Sequence, residues 1–181
     1  MINGNRIVLR EKALDDAWND YTWESDPELS YLDAASPINM TFSQYLSEYT
    51  EQLHNCPPTS RRLAVETLDS KHIGNCSYYN VSETKGEAEL GIMIGDRDYW
   101  NQGYGTATVI TLIDYIFGQT NINRIHLKTL ESNRRAQKCF QKCGFISFGH
   151  RNKDGFSFVL MEISRIQWQE QPNKAQSELP F

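Results

Sequence analysis

"DYWNQGYGTATVITLIDYIF", residues Asp98 to Phe117, sets two glycines one residue apart directly ahead of a long apolar run. Glycine gives up more backbone freedom on folding than any other residue, so such a pair predicts a close approach to the backbone. A helix start exposes unpaired N–H groups and the positive end of the macrodipole, which together form an anion site. Gly103 and Gly105 let those groups crowd around a bulky anion, and small Thr106 and Ala107 keep the first turn clear. Each charge–dipole contact contributes roughly 0.3–1 kcal/mol, and up to about 2 when partly buried, so several N–H groups together can hold a pyrophosphate without a lysine. The dinucleotide pattern G-x-G-x-x-G fails at Thr108, and no Gly-Lys-Ser/Thr of a P-loop occurs. On these residues alone, an ordinary tight turn before a core helix fits equally well.

Outward from this stretch, period-2 and period-3.6 patterns divide the chain. "NRIVLREK" reads as a strand, Ala13–Tyr31 as a helical region broken by Pro27, and Phe42–Leu53 as a second helix. "NCPPTS" is a loop, followed by strands "RRLAVETL", "HIGNCSYYNVS" and "EAELGIMIG". A helix over Tyr104–Phe117 precedes the strand "NRIHLKTL" and the helix "NRRAQKCFQKC", with Asn133 as N-cap and Gly144 just past its end. Strands "FISFGHR" and "FSFVLMEIS" close on "NKDG", a hairpin turn. This order predicts an α/β (α+β) fold, a mixed and mostly antiparallel sheet of six to seven strands with about four helices. Residues 1–168 are expected to form one domain and residues 169–181 a polar, disordered tail.

With 181 residues, 39% of them hydrophobic, and a net charge of −5, the chain suits a single globular domain and lacks the basic footprint of a nucleic-acid binder. No apolar run approaches the ~20 residues of a membrane span, and the start "MINGNRIVLR" lacks a signal-peptide layout, so a cytoplasmic location is expected. Cys56, Cys76, Cys139 and Cys143 form no CxxC pair, so reduced thiols and no metal are expected.

"EAELGIMIGDRDYWNQGYGTATV" followed by "NRIHLKTLESNRRAQKCFQKCGF" resembles the GNAT superfamily of acyl-CoA-dependent N-acetyltransferases, in particular its ribosomal-protein and spermidine acetyltransferase branch. The likeness spans about Arg6 to Ser164. The family's loop Arg/Gln-x-x-Gly-x-Gly/Ala stands here as Trp100, Asn101, Gln102, Gly103, Tyr104 and Gly105, and its Asn-x-x-Ala-x-x-x-Tyr-x-x-x-Gly-Phe as Asn133, Ala136, Phe140, Gly144 and Phe145. The resemblance implies acetyl-CoA as cosubstrate, its pyrophosphate on residues 100–106 (Thr106 included), and its pantetheine between "ELGIMIG" and "HLKTL". There it would pair with backbone groups of Met93, Ile94 and Gly95, one N–H polarising the thioester carbonyl, while Asn133 would hydrogen-bond the arm. Arg134, Arg135 and Lys138 are candidates for the 3′-phosphate, although a solvated helix face is the favoured reading for them.

An alkyl ammonium near pKa 10.4 is neutral in only about one molecule in a few thousand at pH 7, so attack on a thioester needs a base. Strand alternation puts Glu87, Glu89 and Met93 on the face opposite Ala88, Leu90, Ile92 and Ile94. Glu89 is the expected base, through water as the resemblance implies, and Glu87 a solvent-facing carboxylate. Phe140 replaces the family's tyrosine acid and cannot donate a proton, which leaves water, Ser132 or Tyr79 to serve the leaving thiolate. His126 and His150 are expected to be structural or exposed. Eight acids between Glu11 and Asp33 stand against Lys12 alone, with Trp18, Tyr21, Trp23 and Tyr31 among them. This wall favours a cationic amine such as a protein N-terminus, polyamine or aminoglycoside, while a solvated acidic face fits it as well. The expected reaction is direct acetyl transfer to a primary amine by a monomer or homodimer. The alternative is a non-catalytic acyl-CoA-binding module, which Phe140 keeps open.

Overall fold

The computed structural model describes residues 1–55 and 57–171. Its strands are β1 (Ile2–Asn3), β2 (Ile7–Glu11), β3 (Arg61–Thr67), β4 (His72–Ser82), β5 (Glu87–Ile94), β6 (Arg124–Leu130), β7 (Ile146–Lys153) and β8 (Phe156–Ser164). Its helices are α1 (Ala17–Glu24), α2 (Pro27–Leu32), α3 (Phe42–His54), α4 (Tyr104–Gln119), α5 (Arg134–Lys142) and α6 (Arg165–Glu170). One sheet runs β1-β2-β3-β4-β5-β6-β8-β7. Every neighbouring pair is antiparallel except β5 and β6.

The alternation read in β5 sets the two faces. Ala88 and Leu90 enter the main core with Val109, Leu112, Ile113 and Ile116 of α4. On the opposite face, Asn75, Ser77 and Tyr79 of β4 stand beside Met93, Gly91 and Glu89 of β5. The first helices lie over this second face: Asp20 of α1 accepts a 2.7 Å hydrogen bond from Asn75, and the Trp23 ring lies where a side chain on Gly95 would project. The hairpin at Asp154 and Gly155 takes positive φ at both positions (51° and 81°), as its sequence predicts, and Gly144 ends α5 at φ 92°.

The expected six to seven strands become eight, because β1 has only two residues, too few for a pattern to show. The expected four helices become six. Asp26 caps a new helix by accepting from Glu28 and Leu29, with Pro27 at its first position, so Ala13–Tyr31 is divided. α6 is set by Ser164, whose hydroxyl accepts from Gln167 N–H, and by a 2.7 Å bond from Trp168 to Asp114. Gln169 and Glu170, read as the start of the tail, belong to this helix. Residues 172–181 and Cys56 lie outside the described residues. Among the described residues no helix is long and apolar enough to cross a membrane, and no group of three or more His, Cys, Asp or Glu could hold a metal.

Candidate active site

The two parallel strands part company. β5 pairs with β6 only from Glu87–Glu89 to Arg124–His126, whereas β4 holds β5 out to Ile94 and β8 holds β6 out to Leu130. Beyond Glu89 the two strands splay, and a cleft of about 740 Å³ fills the gap. Its walls include Leu90 to Ile94, Lys128 to Leu130, Gly103, Gly105, Thr106 and most of α5.

At one end of the cleft stands the loop that the glycines predicted. Gly103 takes φ 87° and Asn101 φ 59°, a left-handed path in which glycine carries no Cβ penalty. Gly105 is helical and needs no unusual backbone. A Cβ there would lie 3.4 Å from the Cys139 sulfur and 3.9 Å from Ile94, ordinary contacts, so packing does not demand a glycine either. Gly105 lines the cleft together with Gly103 and Thr106, at the first turn of α4. Arg6 braces the loop from outside, donating to the Gln102 carbonyl at 2.7 Å and stacking on Tyr104.

The remaining expected cofactor residues separate. Trp100 and Asn101 line the cleft, and the Trp100 indole donates to the Ile94 carbonyl at 2.6 Å. Met93, Ile94, Asn133 and Phe140 also line it, and Asn133 uses its Oδ1 to cap α5 through Ala136 N–H. Gln102 and Tyr104 do not line it. Nor does Gly95, whose N–H is bound to the Ile73 carbonyl at 3.0 Å. The glycine at 95 answers to Trp23, whose ring would lie 2.1 Å from an added Cβ. Phe140 is buried and packs edge-on against Phe145 at 5.7 Å.

Arg134, Arg135 and Lys138 line the cleft rather than a purely solvated face. The Arg135 guanidinium lies 3.3 Å from the centre of the Trp100 ring, with Arg97 at 5.5 Å. Trp100 thus puts a cation at the loop where the usual polar side chain is missing. Cys139 stands against Gly105 and Thr106, at the loop end of the cleft. Its hydrogen bond with Cys143 outweighs burial, and with further help from Thr106, Lys142 and Arg135 its pKa falls to about 7.

At the other end, on the face covered by α1, Glu89 is buried and triply bonded. Its Oε1 accepts from Lys128 at 2.5 Å and from the Tyr79 hydroxyl at 3.0 Å, and its Oε2 from Asn80 at 3.0 Å. Burial alone would raise its pKa, but these hydrogen bonds and the Lys128 charge prevail and hold it below the ordinary carboxylate range. Glu87 instead pairs with Arg124 at 2.8 Å. Ser132 is exposed and does not line the cleft. A second cavity of about 310 Å³ meets the first at Asp33, Tyr79 and Gly91 to Met93. Lys128 and Asn80 escaped sequence reading, since only the β5–β6 register and the irregularity after Tyr79 bring them to Glu89.

A model of the acetyltransferase (GNAT) domain matches residues 6–146, and the chain belongs to that family. It is therefore an acetyltransferase with acetyl-CoA as acyl donor, and the splayed strands and bare-backbone loop fit that cosubstrate. Among curated relatives, "Uncharacterized N-acetyltransferase p20" of Bacillus licheniformis is 27% identical over 141 residues, 77% of this chain and 79% of the relative. Spermidine N(1)-acetyltransferase of Vibrio cholerae serotype O1 is 24% identical over 86% of this chain and 75% of its own. The fold matches spermidine N-acetyltransferase from Vibrio cholerae in complex with CoA and spermine, with TM-score 0.78, 20% identity, and coverage of 90% of this chain and 98% of that one. It also matches aminoglycoside acetyltransferase AAC(6')-Ib with coenzyme A, with TM-score 0.76, 18% identity, and coverage of 92% and 99%.

Arg135→Ala is expected to raise the acetyl-CoA KM about five- to tenfold, the share of a partly desolvated cation. Dephospho-CoA used as competitor in a binding titration checks whether the 3′-phosphate is what Arg135 meets. If it is, the preference for the phosphorylated form shrinks in the variant.

Proposed function

We propose that this protein acetylates a primary amine on a cationic small molecule, and that the nitrogen reaches the thioester by direct attack from the second cavity. The observation that carries this reading is the meeting of the two cavities at Tyr79 and Gly91 to Met93, where β5 leaves β6. Acetyl-CoA fills the larger cleft in this reading, its pyrophosphate on the N–H groups from Gly103 to Thr106 and its arm along Met93 and Ile94. The acceptor enters from the α1 side.

Of the eight acids near the amino terminus, tertiary partners neutralise most. Asp16 pairs with Arg10, Asp20 with Lys12, Asp26 and Glu28 with Arg97, and Glu11 with Arg61. Asp15, Glu24 and Asp33 remain; Asp15 is exposed, while Glu24 and Asp33 line the second cavity. Among the described residues the Glu24 carboxylate accepts from the Tyr45 hydroxyl at 3.1 Å, and burial raises its pKa despite that bond and the nearby Arg62 and Lys12 charges. Lys12 and Arg62 also line this cavity, Lys12 being engaged with Asp20, and a buried carboxylate without its own ion pair gains from an ammonium placed beside it. The Vibrio cholerae relative is named for spermidine, which accords with this charge pattern.

Glu89 lines neither cavity, so it takes the acceptor's proton through Tyr79, which lines both. The ammonium proton moves to the Tyr79 oxygen as the tyrosine proton passes to Glu89 Oε1, and the freed lone pair attacks the thioester carbon. The thiolate leaves readily, because thiol pKa values lie near 8.5. Cys139, at the far end of the cleft, takes no part. Glu89→Gln is expected to lower kcat/KM about 100-fold at pH 7 and much less at pH 9, where more acceptor is already neutral. A loss that is equal at both pH values rejects the base role.

Thiol release over a panel of amines tests the function as a whole. Polyamines and aminoglycosides should be turned over faster than acidic amino compounds, with the preference weakening at high salt. A preference for acidic acceptors, indifferent to salt, rejects the cationic substrate class.

A further inference from the structure

Lys128 has no place in the reading above, yet it makes the shortest bond to Glu89, 2.5 Å from its Nζ to Oε1. It stands on β6 just past the last residue paired with β5, and its side chain reaches back across the opening splay. From this placement we infer that Lys128 is a positioning residue that cancels the charge of Glu89, so that the acceptor's reactive nitrogen cannot settle there as a salt-bridged ammonium. This inference rests on the acceptor nitrogen arriving near Tyr79.

The problem it solves follows from the substrate class. A cationic amine binds well to a bare buried carboxylate, but an ammonium locked against a carboxylate has no lone pair and is a dead end. Glu89 is buried and would be a strong trap if unpaired. Lys128 is partly solvent-exposed and lines the acetyl-CoA cleft, so it neutralises Glu89 without closing the site. Glu24 and Asp33, both lining the cavity beyond, are then left to attract the rest of the cation. The pair thus separates recognition of charge from chemistry on the nitrogen.

The other groups around Lys128 do not duplicate its effect. Tyr79 faces it from β4 and is neutral, its hydroxyl pushed above the ordinary range by burial and by Glu89. His126 lies beside it on β6, and burial lowers its pKa, which keeps it uncharged at pH 7. Asp33 faces it from the end of α2. Arg124 is engaged with Glu87 and Glu162, and Leu160 opposite Lys128 on β8 is apolar.

The test is Lys128→Met on the full chain, with a polyamine as acceptor and acetyl-CoA affinity measured alongside. The expected result is a KM for the polyamine at least threefold lower, a kcat at pH 7 about tenfold lower, and a rising limb of kcat displaced about one pH unit upward. Lys128→Arg should restore wild-type behaviour. In a Glu89→Gln background the Lys128→Met change should have no further effect on KM. A folded Lys128→Met variant with normal acetyl-CoA affinity, unchanged KM and an unmoved limb overturns the inference, as does a rise in kcat. If no amine releases thiol from the wild type, acetyl transfer to such amines fails as a reading. Calorimetric polyamine binding, expected to tighten at least threefold in Lys128→Met, then still decides the role of Lys128: tightening upholds it and unchanged affinity rejects it.

Discussion

Gly105→Asp abolishes measurable acetyl-CoA binding while leaving the fold intact. The variant places an anion where the first turn of α4 is expected to receive the pyrophosphate, and charge repulsion at about 4 Å in a partly shielded cleft is on the order of 4 kcal/mol. That corresponds to a loss of roughly a hundred- to a thousandfold in affinity. The protein itself has room for the substitution, since an added Cβ meets only Cys139 and Ile94 at contact distance. An aspartate in a first helical turn also interacts favourably with the macrodipole, by about 0.3–1 kcal/mol, so the melting temperature should hold or rise. Titration calorimetry beside a melting curve checks both halves. Unchanged affinity would remove the loop assignment.

Asp20→Ala is the largest expected loss of stability. The Asp20 carboxylate is fully buried, 2.6 Å from the Lys12 ammonium, and accepts from Asn75 at 2.7 Å and Tyr49 at 3.0 Å. This cluster ties α1 to the residue that follows β2, to β4 and to α3 at once. Removing one partner of a buried pair costs about 3–5 kcal/mol, because the other charge stays desolvated. For a chain of this size that lowers the melting temperature by about 10 °C. Burial already lowers the Lys12 pKa against the pull of Asp20. Without Asp20 that pKa falls further, so at neutral pH the unfolded chain binds a proton that the native state gives up or holds at a cost. Stability therefore rises with pH between the lowered native pKa and the unfolded lysine value near 10.4, and the deficit of the variant should shrink over that window. Denaturant midpoints at pH 7 and pH 9.5 measure this. A deficit independent of pH would place the loss in packing rather than charge.

The parts of this protein that a linear pattern could carry were legible in its sequence. Alternation in Glu87–Ile94 assigned Glu89 to the face away from α4, and the Asn133 cap, the Asp154–Gly155 turn and the glycine loop each announced local geometry through one or two residues. The acid-rich opening was a poorer guide. Counterions such as Arg10, Arg61 and Arg97 come from other elements and pair five of the eight charges; of the other three, Asp15 is exposed and only Glu24 and Asp33 line the second cavity. Gly95 was read as a cofactor contact, whereas Trp23, some 70 residues earlier in the chain, accounts for the missing side chain.

The sequence by itself determined the secondary structure of the long elements, the faces of β5 and the loop before α4, because propensity, capping and side-chain period act between residues a few positions apart. Only the tertiary structure decided that β5 and β6 part after Glu89, that Lys128 and Tyr79 converge on that carboxylate, and that Trp100 holds Arg135. Those outcomes depend on strand register and on charges drawn from distant segments, and the free energy of such contacts exists only once the chain has brought them together.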